Sequence, residues 1–213
     1  MQKKDETVRL VRAAGNHVVV EAVPGAGKTY MIVEIARANP GSLILAYNNA
    51  LASEIQSLID AETVQCCTFH SLCSRCIRVV RDDLQLRDAV EAVERGDALV
   101  GEVPRATTLL IDEAQDVRPL YIRLLVALGL LRNAERVYVL GDRNQLIYDY
   151  DPDFPACLDV LVRPNLHVRR GVEWRRVVAS TSRRLPPPVA TLVSDLFSVS
   201  IASVSHVVAE DGS

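Results

Sequence analysis

Glu21-Ala22-Val23-Pro24-Gly25-Ala26-Gly27-Lys28-Thr29-Tyr30 follows the apolar run Val18-Val19-Val20 and opens a helical pattern. An apolar strand that runs through a small-residue loop into Gly-Lys-Thr at a helix start has the shape a polyphosphate needs. Gly25 and Gly27 let the backbone curl so that successive N–H groups face a phosphate, and the helix N-terminus adds partial positive charge. Pro24, Gly25, Ala26, Gly27, Lys28, Thr29 and Tyr30 are therefore the expected phosphate-binding residues. Lys28 is placed to reach the β- and γ-phosphates of a nucleotide, and the Thr29 hydroxyl to ligate Mg²⁺. Ala22 stands where the pattern usually has Gly, so the match is A-x-x-x-x-G-K-T.

The chain around this loop has 213 residues, 49% of them hydrophobic, enough to bury a sizeable core. Its net charge of −3 and pI of about 5.8 argue neither for nor against a nucleic-acid partner, because a local basic strip can sit in an acidic domain. No window of about 18 apolar residues is free of charge, and Met1-Gln2-Lys3-Lys4-Asp5-Glu6 is too polar for a signal peptide. The expectation is a soluble, intracellular protein with no membrane partner. Of the five cysteines, Cys66, Cys67, Cys73 and Cys76 fall close together and include a C-x-x-C. A metal site and a set of buried reduced thiols both fit that spacing.

Upstream of the loop, residues 1–16 read as an amphipathic helix, with Val8, Leu10, Val11, Ala13 and Ala14 apolar, closed by Gly15-Asn16. Residues 17–21 form the first strand. The helix after the loop runs to about Ala38 and stops at Asn39-Pro40-Gly41. Residues 42–47 are a second strand, 50–59 a helix and 63–67 a third strand, after which Thr68-Phe69-His70-Ser71 opens a helix to about Val80. Residues 81–105 read as a charged helix and loop on the surface. A fourth strand, 107–111, ends in Asp112-Glu113-Ala114-Gln115-Asp116. A helix over 119–131 and a strand over 136–140 follow, the latter ending in Gly141-Asp142-Arg143-Asn144-Gln145. Short apolar strands alternating with helices predict an α/β fold with a parallel sheet and helices on both faces. Groups at the carboxyl ends of such strands line one crevice. Further on, residues 158–180 are expected to hold one or two strands among Arg163, Arg169, Arg170, Arg175 and Arg176. Pro186-Pro187-Pro188 then opens a helix over 189–197, and the last stretch is a strand or a frayed tail.

Asp112-Glu113 supplies the second half of a nucleotide hydrolase. An Asp at a strand end beside the phosphate loop can hold Mg²⁺ through water, and the adjacent Glu can orient and deprotonate the attacking water.

Taken together, these stretches resemble superfamily 1 helicases, both the UvrD/Rep type and the smaller viral type, from about residue 17 to 195. Ala22 to Thr29 is similar to motif I of that family, and Tyr47-Asn48-Asn49-Ala50-Leu51-Ala52 to motif Ia, F-T-N-K-A-A. Thr68-Phe69-His70-Ser71-Leu72 is similar to the T-F-H-S-L of motif Ib, and Asp112 to Asp116 to motif II. Gly141-Asp142-x-x-Gln145-x-Ile147-Tyr148 resembles motif III. Thr181-Ser182-Arg183-Arg184-Leu185-Pro186 resembles motif IV, which is N-Y-R-S-P or, in viral members, T-x-R-x-P.

The resemblance implies a RecA-like P-loop NTPase domain that uses ATP and Mg²⁺ and binds single-stranded DNA or RNA. It implies that Thr29 and Asp112 hold the metal, that Lys28, Asp112, Glu113, Gln145 and Arg184 carry catalysis, and that Gln145 senses the γ-phosphate. Arg184, or Arg183 in a shifted register, is the implied arginine finger. Thr68 and His70 suit a strand phosphate, Asn48 falls in the strand-contacting motif Ia, and Tyr47, Tyr148 and Tyr150 suit unpaired bases.

Departures from the pattern matter as well. Glu6 falls about where the family has an adenine-reading Gln, which implies relaxed nucleotide use, and Ala50 replaces a basic residue of motif Ia. Motifs V and VI are absent from this sequence. Residues 1–180 are therefore expected to be the first motor domain, and 181–213 the start of a second or a tail, with a second chain or self-association supplying the missing half. Two rivals differ in class. One is a non-catalytic module that binds nucleic acid or a replication partner, and the retained Lys28, Thr29, Asp112, Glu113 and Gln145 count against it. The other is a small-molecule kinase, which has no use for D-E-A-Q-D with G-D-x-x-Q.

Overall fold

The structure is a computed structural model that describes residues 2–97, 99–145 and 172–203, with side chains from Glu6 onward. Its first half alternates helix and strand: α1 (Gln2–Ala14), β1 (His17–Ala22), α2 (Lys28–Arg37), β2 (Ser42–Ala46), α3 (Asn49–Gln56), β3 (Val64–Thr68), α4 (Phe69–Cys76) and α5 (Asp83–Glu94). There follow β4 (Thr108–Ile111), α6 (Pro119–Ala127), α7 (Leu130–Asn133), β5 (Arg136–Gly141), β6 (Trp174–Ala179), β7 (Thr181–Ser182), α8 (Pro187–Phe197) and β8 (Ala202–Ser203). Strands β1 to β6 form one sheet in the order β3-β2-β4-β5-β1-β6, and each neighbouring pair is parallel. This is the α/β architecture expected of a RecA-like domain.

Period-two alternation puts each strand's side chains on two different layers. Val19, Leu43, Leu45, Leu109, Ile111, Val137 and Val139 pack against Leu72, Leu86, Leu124 and Leu125 of α4, α5 and α6. Their alternates, Val18, Val20, Ile44, Leu110, Tyr138 and Leu140, pack against Val11, Ile32, Ile35 and Ile55 of α1, α2 and α3. A sheet buried on both faces requires strands that are apolar throughout, and β2 and β4 have no exposed residue.

Three helices differ from the sequence expectation. The helix expected over 50–59 ends at Gln56. The helix expected to reach about Val80 ends at Cys76, where the chain turns back and the Val80 N–H donates to Ser74 Oγ at 3.1 Å. The helix expected over 119–131 breaks at Gly129, whose φ of 71° lies in the left-handed region, and resumes as α7. Beyond β6 the chain leaves the large sheet. Thr181–Ser182 pairs with Ala202–Ser203 in a separate two-stranded parallel sheet, with α8 between them in sequence. Among the described residues no helix is long and apolar enough to cross a membrane.

Candidate nucleotide site and strand groove

The phosphate loop leaves β1 at Ala22 and is pinned at both ends. The Val23 N–H donates to the Ala179 carbonyl at 3.1 Å, and the Ala26 N–H to the Val23 carbonyl at 3.0 Å. Gly27 precedes α2 in a left-handed conformation, so α2 starts at Lys28 with its free N–H groups at the loop. Gly25 has φ of 75° and lies against the segment after β6. A Cβ there would come within 2.6 Å of Arg184 Cβ and 2.8 Å of Ser182 Oγ, and the Gly25 carbonyl accepts the Arg183 N–H at 3.1 Å. The loop therefore meets Arg183 and Arg184 directly.

β4 delivers Asp112 into a site where it is only 1% exposed. Its Oδ1 accepts the Glu113 N–H at 2.8 Å, while Oδ2 is buried without a hydrogen-bond partner among the described residues. Burial, helped by the Glu113 carboxylate, pushes the Asp112 pKa up to about 7. Glu113 adopts a left-handed backbone, φ 44° and ψ 48°, unusual for a residue with a side chain. That turn puts Glu113 Oε2 3.3 Å from Lys28 Nζ.

Gln115 joins this pair to the end of β5. Its Nε2 donates to Glu113 Oε2 at 2.8 Å, and its Oε1 accepts the Asp142 N–H at 3.0 Å. The approach is close enough that a Cβ on Gly141 would come within 2.8 Å of Gln115 Oε1 and 3.2 Å of its backbone N. Asp142 Oδ1 accepts the Asn144 N–H at 3.0 Å, its Oδ2 is likewise buried without a partner, and burial raises its pKa too. Buried carboxylate oxygens with no partner among the described residues are where a hydrated divalent cation fits. Thr29, the second residue of α2, is half-buried.

The remaining expected residues fall around this centre. Pro24, Ala26 and Tyr30 belong to the loop and to the first turn of α2, and Tyr30 also packs on the layer that holds α2. Gln145 lies exposed in the 3₁₀ turn Arg143–Gln145, its N–H on the Asp142 carbonyl at 3.1 Å. Arg184 is exposed. Arg183 is half-buried and lines a cavity of about 310 Å³ with Glu6, Thr7, Ala26 and Ser180.

Tyr47, Asn48, Thr68 and His70 share a larger groove of about 670 Å³ with Asn49, Ser71, Ser74, Arg75 and Arg81. Two helix caps lie among its lining residues. Asn48 Oδ1 accepts the Leu51 N–H at 2.9 Å, and Thr68 Oγ1 accepts the Ser71 N–H at 3.2 Å. Thr68 is buried, so its hydroxyl serves the cap first. Tyr148 and Tyr150 lie outside the described residues. The cysteine cluster resolves as thiols: Cys67, Cys73 and Cys76 are buried and Cys66 is half-buried, all free. Burial pushes Cys66 up to about 12 and Cys67 and Cys73 up to about 11. Among the described residues no group of three or more His, Cys, Asp or Glu is placed to hold a metal.

Sequence reasoning passed over Gln115 and Asp142 as site residues, although both stand inside quoted motifs. It also passed over Glu21, whose carboxylate is 2.5 Å from Arg143 Nε and also pairs with Arg176. The signal for Glu21 was a charged residue near the end of an otherwise buried strand.

The chain belongs to the AAA domain family AAA_19, whose model matches residues 5–151. Its fold is similar to that of Pif1 from Bacteroides sp. The unliganded form is 17% identical with a TM-score of 0.51, over 92% of this chain and 44% of that one. Pif1 bound to ssDNA gives 16% identity and a TM-score of 0.52, over 93% and 46%. Pif1 in complex with ADP-AlF4 gives 17% and 0.50, over 92% and 45%. The chain thus shares the RecA-like fold of Pif1, and these matches do not separate the UvrD/Rep type from the viral type. The chain spans less than half the length of these Pif1 chains. No curated protein matches the sequence.

Proposed function

We propose that this chain is a helicase motor domain that binds Mg-ATP at the phosphate loop and single-stranded nucleic acid in the groove, and hydrolyses the nucleotide. The observation that carries this reading is the continuous polar connection Lys28–Glu113–Gln115–Asp142, which joins the loop, the carboxylate turn and the end of β5. Without nucleotide, Lys28 and Glu113 satisfy each other. A γ-phosphate competes for the Lys28 ammonium and leaves the Glu113 carboxylate to accept the proton of an attacking water, as oxygen attacks phosphorus and ADP departs. Thr29 and Asp112 would hold Mg²⁺, which supplies charge neutralisation at the phosphates. Arg184, beside the loop, stabilises the charge that develops on the transferring group, and Gln145 reports the γ-phosphate to the β5 turn. Glu6 and Thr7 line the cavity past Ala26 and would meet a base held there, with Glu6 in place of an adenine-reading Gln allowing relaxed nucleotide choice.

Solved Pif1 structures with ADP-AlF4 and with ssDNA support both halves of the assignment. In the groove, Tyr47 offers a stacking face, Asn48 and His70 offer polar contacts to the strand backbone, and Thr68 holds the cap beneath them. Residues 1–180 form the motor domain, and 181–213 begin a second one or a tail.

The test is steady-state phosphate release with and without oligo(dT) or oligo(U). Strand-stimulated release that both Lys28→Ala and Glu113→Gln abolish is the expected result. Tight nucleotide binding with no release under any condition would refute the hydrolase assignment and leave a binding module.

A further inference from the structure

We propose that Asp83 is a positioning residue of the strand groove, one that sets His70 against the groove and ties that wall to the turn carrying the catalytic carboxylates. The inference rests on the nucleotide and strand assignments just made. Asp83 is the first residue of α5, in a stretch whose sequence reads only as charged surface. It takes three side-chain partners from two other helices. Its Oδ1 lies 3.2 Å from His70 Nε2 and accepts the Tyr121 hydroxyl at 3.0 Å, and its Oδ2 pairs with Arg118.

Tyr121 in turn stacks on Phe69, with ring centroids 4.7 Å apart and planes 12° apart, and meets His70 edge-on at 5.9 Å. The imidazole is therefore held by a carboxylate on one atom and by a ring on another side. Its position is useful because His70 lines the 670 Å³ groove. Arg118 is the N-cap of α6, two residues past the 3₁₀ turn Ala114–Asp116 that follows Glu113. One carboxylate thus contacts a groove residue and the exit of the carboxylate turn. A strand phosphate that recruits His70 acts on Asp83, and through Arg118 on that exit; a shift of the turn runs the same route in reverse.

A simple staple between α5 and α6 does not account for the arrangement. That work is already done by Arg123 and Glu94, which form a two-point pair at 3.1 and 2.6 Å. What Asp83 adds is the link to α4.

The test uses the full chain with mant-ATP and fluorescein-labelled oligo(dT) or oligo(U), whichever the wild type binds more tightly. Asp83→Asn keeps the shape and removes the charge. It is expected to bind mant-ATP within about twofold of wild type when no strand is present, to bind the strand about tenfold more weakly, and to lose the effect of strand on nucleotide affinity. His70→Ala and the double variant should bind the strand equally weakly, because Asp83 acts through His70; a purely structural Asp83 would make the losses add. If Asp83→Asn loses cooperative melting, Tyr121→Phe deletes a single hydroxyl and is expected to weaken strand binding about threefold while sparing mant-ATP. A folded Asp83→Asn with wild-type strand affinity and intact coupling overturns the proposal. A wild type that binds mant-ATP and neither oligonucleotide overturns the strand assignment itself, and this proposal with it.

Discussion

Replacing Asp112 with Asn removes a buried charge while keeping the side chain's shape, and the consequence reverses between stability and activity. The carboxyl is pushed up to about 7 by burial and by Glu113, well above its ordinary 3.8. The folded chain therefore holds a proton that the unfolded chain has released at any pH between those values. Stability supplied by the protonated form is present in full below about 4, falls as pH rises toward 7 and is level above it, at about 1.4 kcal/mol per pH unit. From about pH 5 to about pH 8 the wild type thus loses about 3 kcal/mol through this group. The Asn variant has no such term. Asn Oδ1 still accepts the Glu113 N–H, while its amide takes the place of the partnerless Oδ2, a pH-independent cost of about 1–3 kcal/mol. That cost cancels when the two pH values are compared.

Thermal melts of both proteins in metal-free buffer therefore read the difference directly. The Tm of Asp112→Asn relative to wild type should rise by about 6–12 °C between pH 5 and pH 8, taking about 2–4 °C per kcal/mol for a domain of this size. Magnesium-dependent turnover should vanish in the same variant. An equal Tm difference at both pH values would refute the reasoning, since it would mean that Asp112 titrates in the folded chain as it does in the unfolded one.

Two further outcomes follow from the geometry. Gly25→Ala must place a Cβ at φ 75° within 2.6 Å of Arg184 Cβ, so it should cost about 2–4 kcal/mol in urea unfolding and abolish nucleotide binding. Cys67 and Cys73, raised to about 11, and Cys66, raised to about 12, carry almost no thiolate near pH 8; mass mapping after iodoacetamide should find them unmodified in the folded chain and modified in urea.

Much of the fold was legible because local pattern and tertiary role agree. The apolar runs at β1, β2, β4 and β5 are continuous because both faces of the sheet are covered, and the order of strands and helices admitted little but a parallel sheet. Gly129 was missed as a break because Leu130 and Leu131 continue the apolar helical pattern on its far side, and only the left-handed φ reveals the turn. The phosphate loop and Asp112-Glu113 were legible because consecutive residues carry their chemistry. Gln115 stood in a quoted motif, but its role depends on Asp142, 27 residues away. Asp83 could not be read at all. Its partners His70, Arg118 and Tyr121 come from α4 and from the start of α6, and only the packing of α4, α5 and α6 on one face brings them together. Arg183 and Arg184 were offered as alternatives for one role, and the structure separates them: Arg183 is half-buried in the cavity beside Ala26, and Arg184 is exposed over the loop.

The central claim is that the loop from Pro24 to Tyr30, with Lys28 facing Glu113, is a nucleotide site. Isothermal titration of Mg-ATP into wild type and Lys28→Ala tests it most directly. The account predicts saturable binding by the wild type and a loss of at least about a hundredfold, or about 2.7 kcal/mol, in the variant. A wild type that gives no binding heat and no change in melting temperature with Mg-ATP, or a Lys28→Ala that binds as tightly as the wild type, would contradict it.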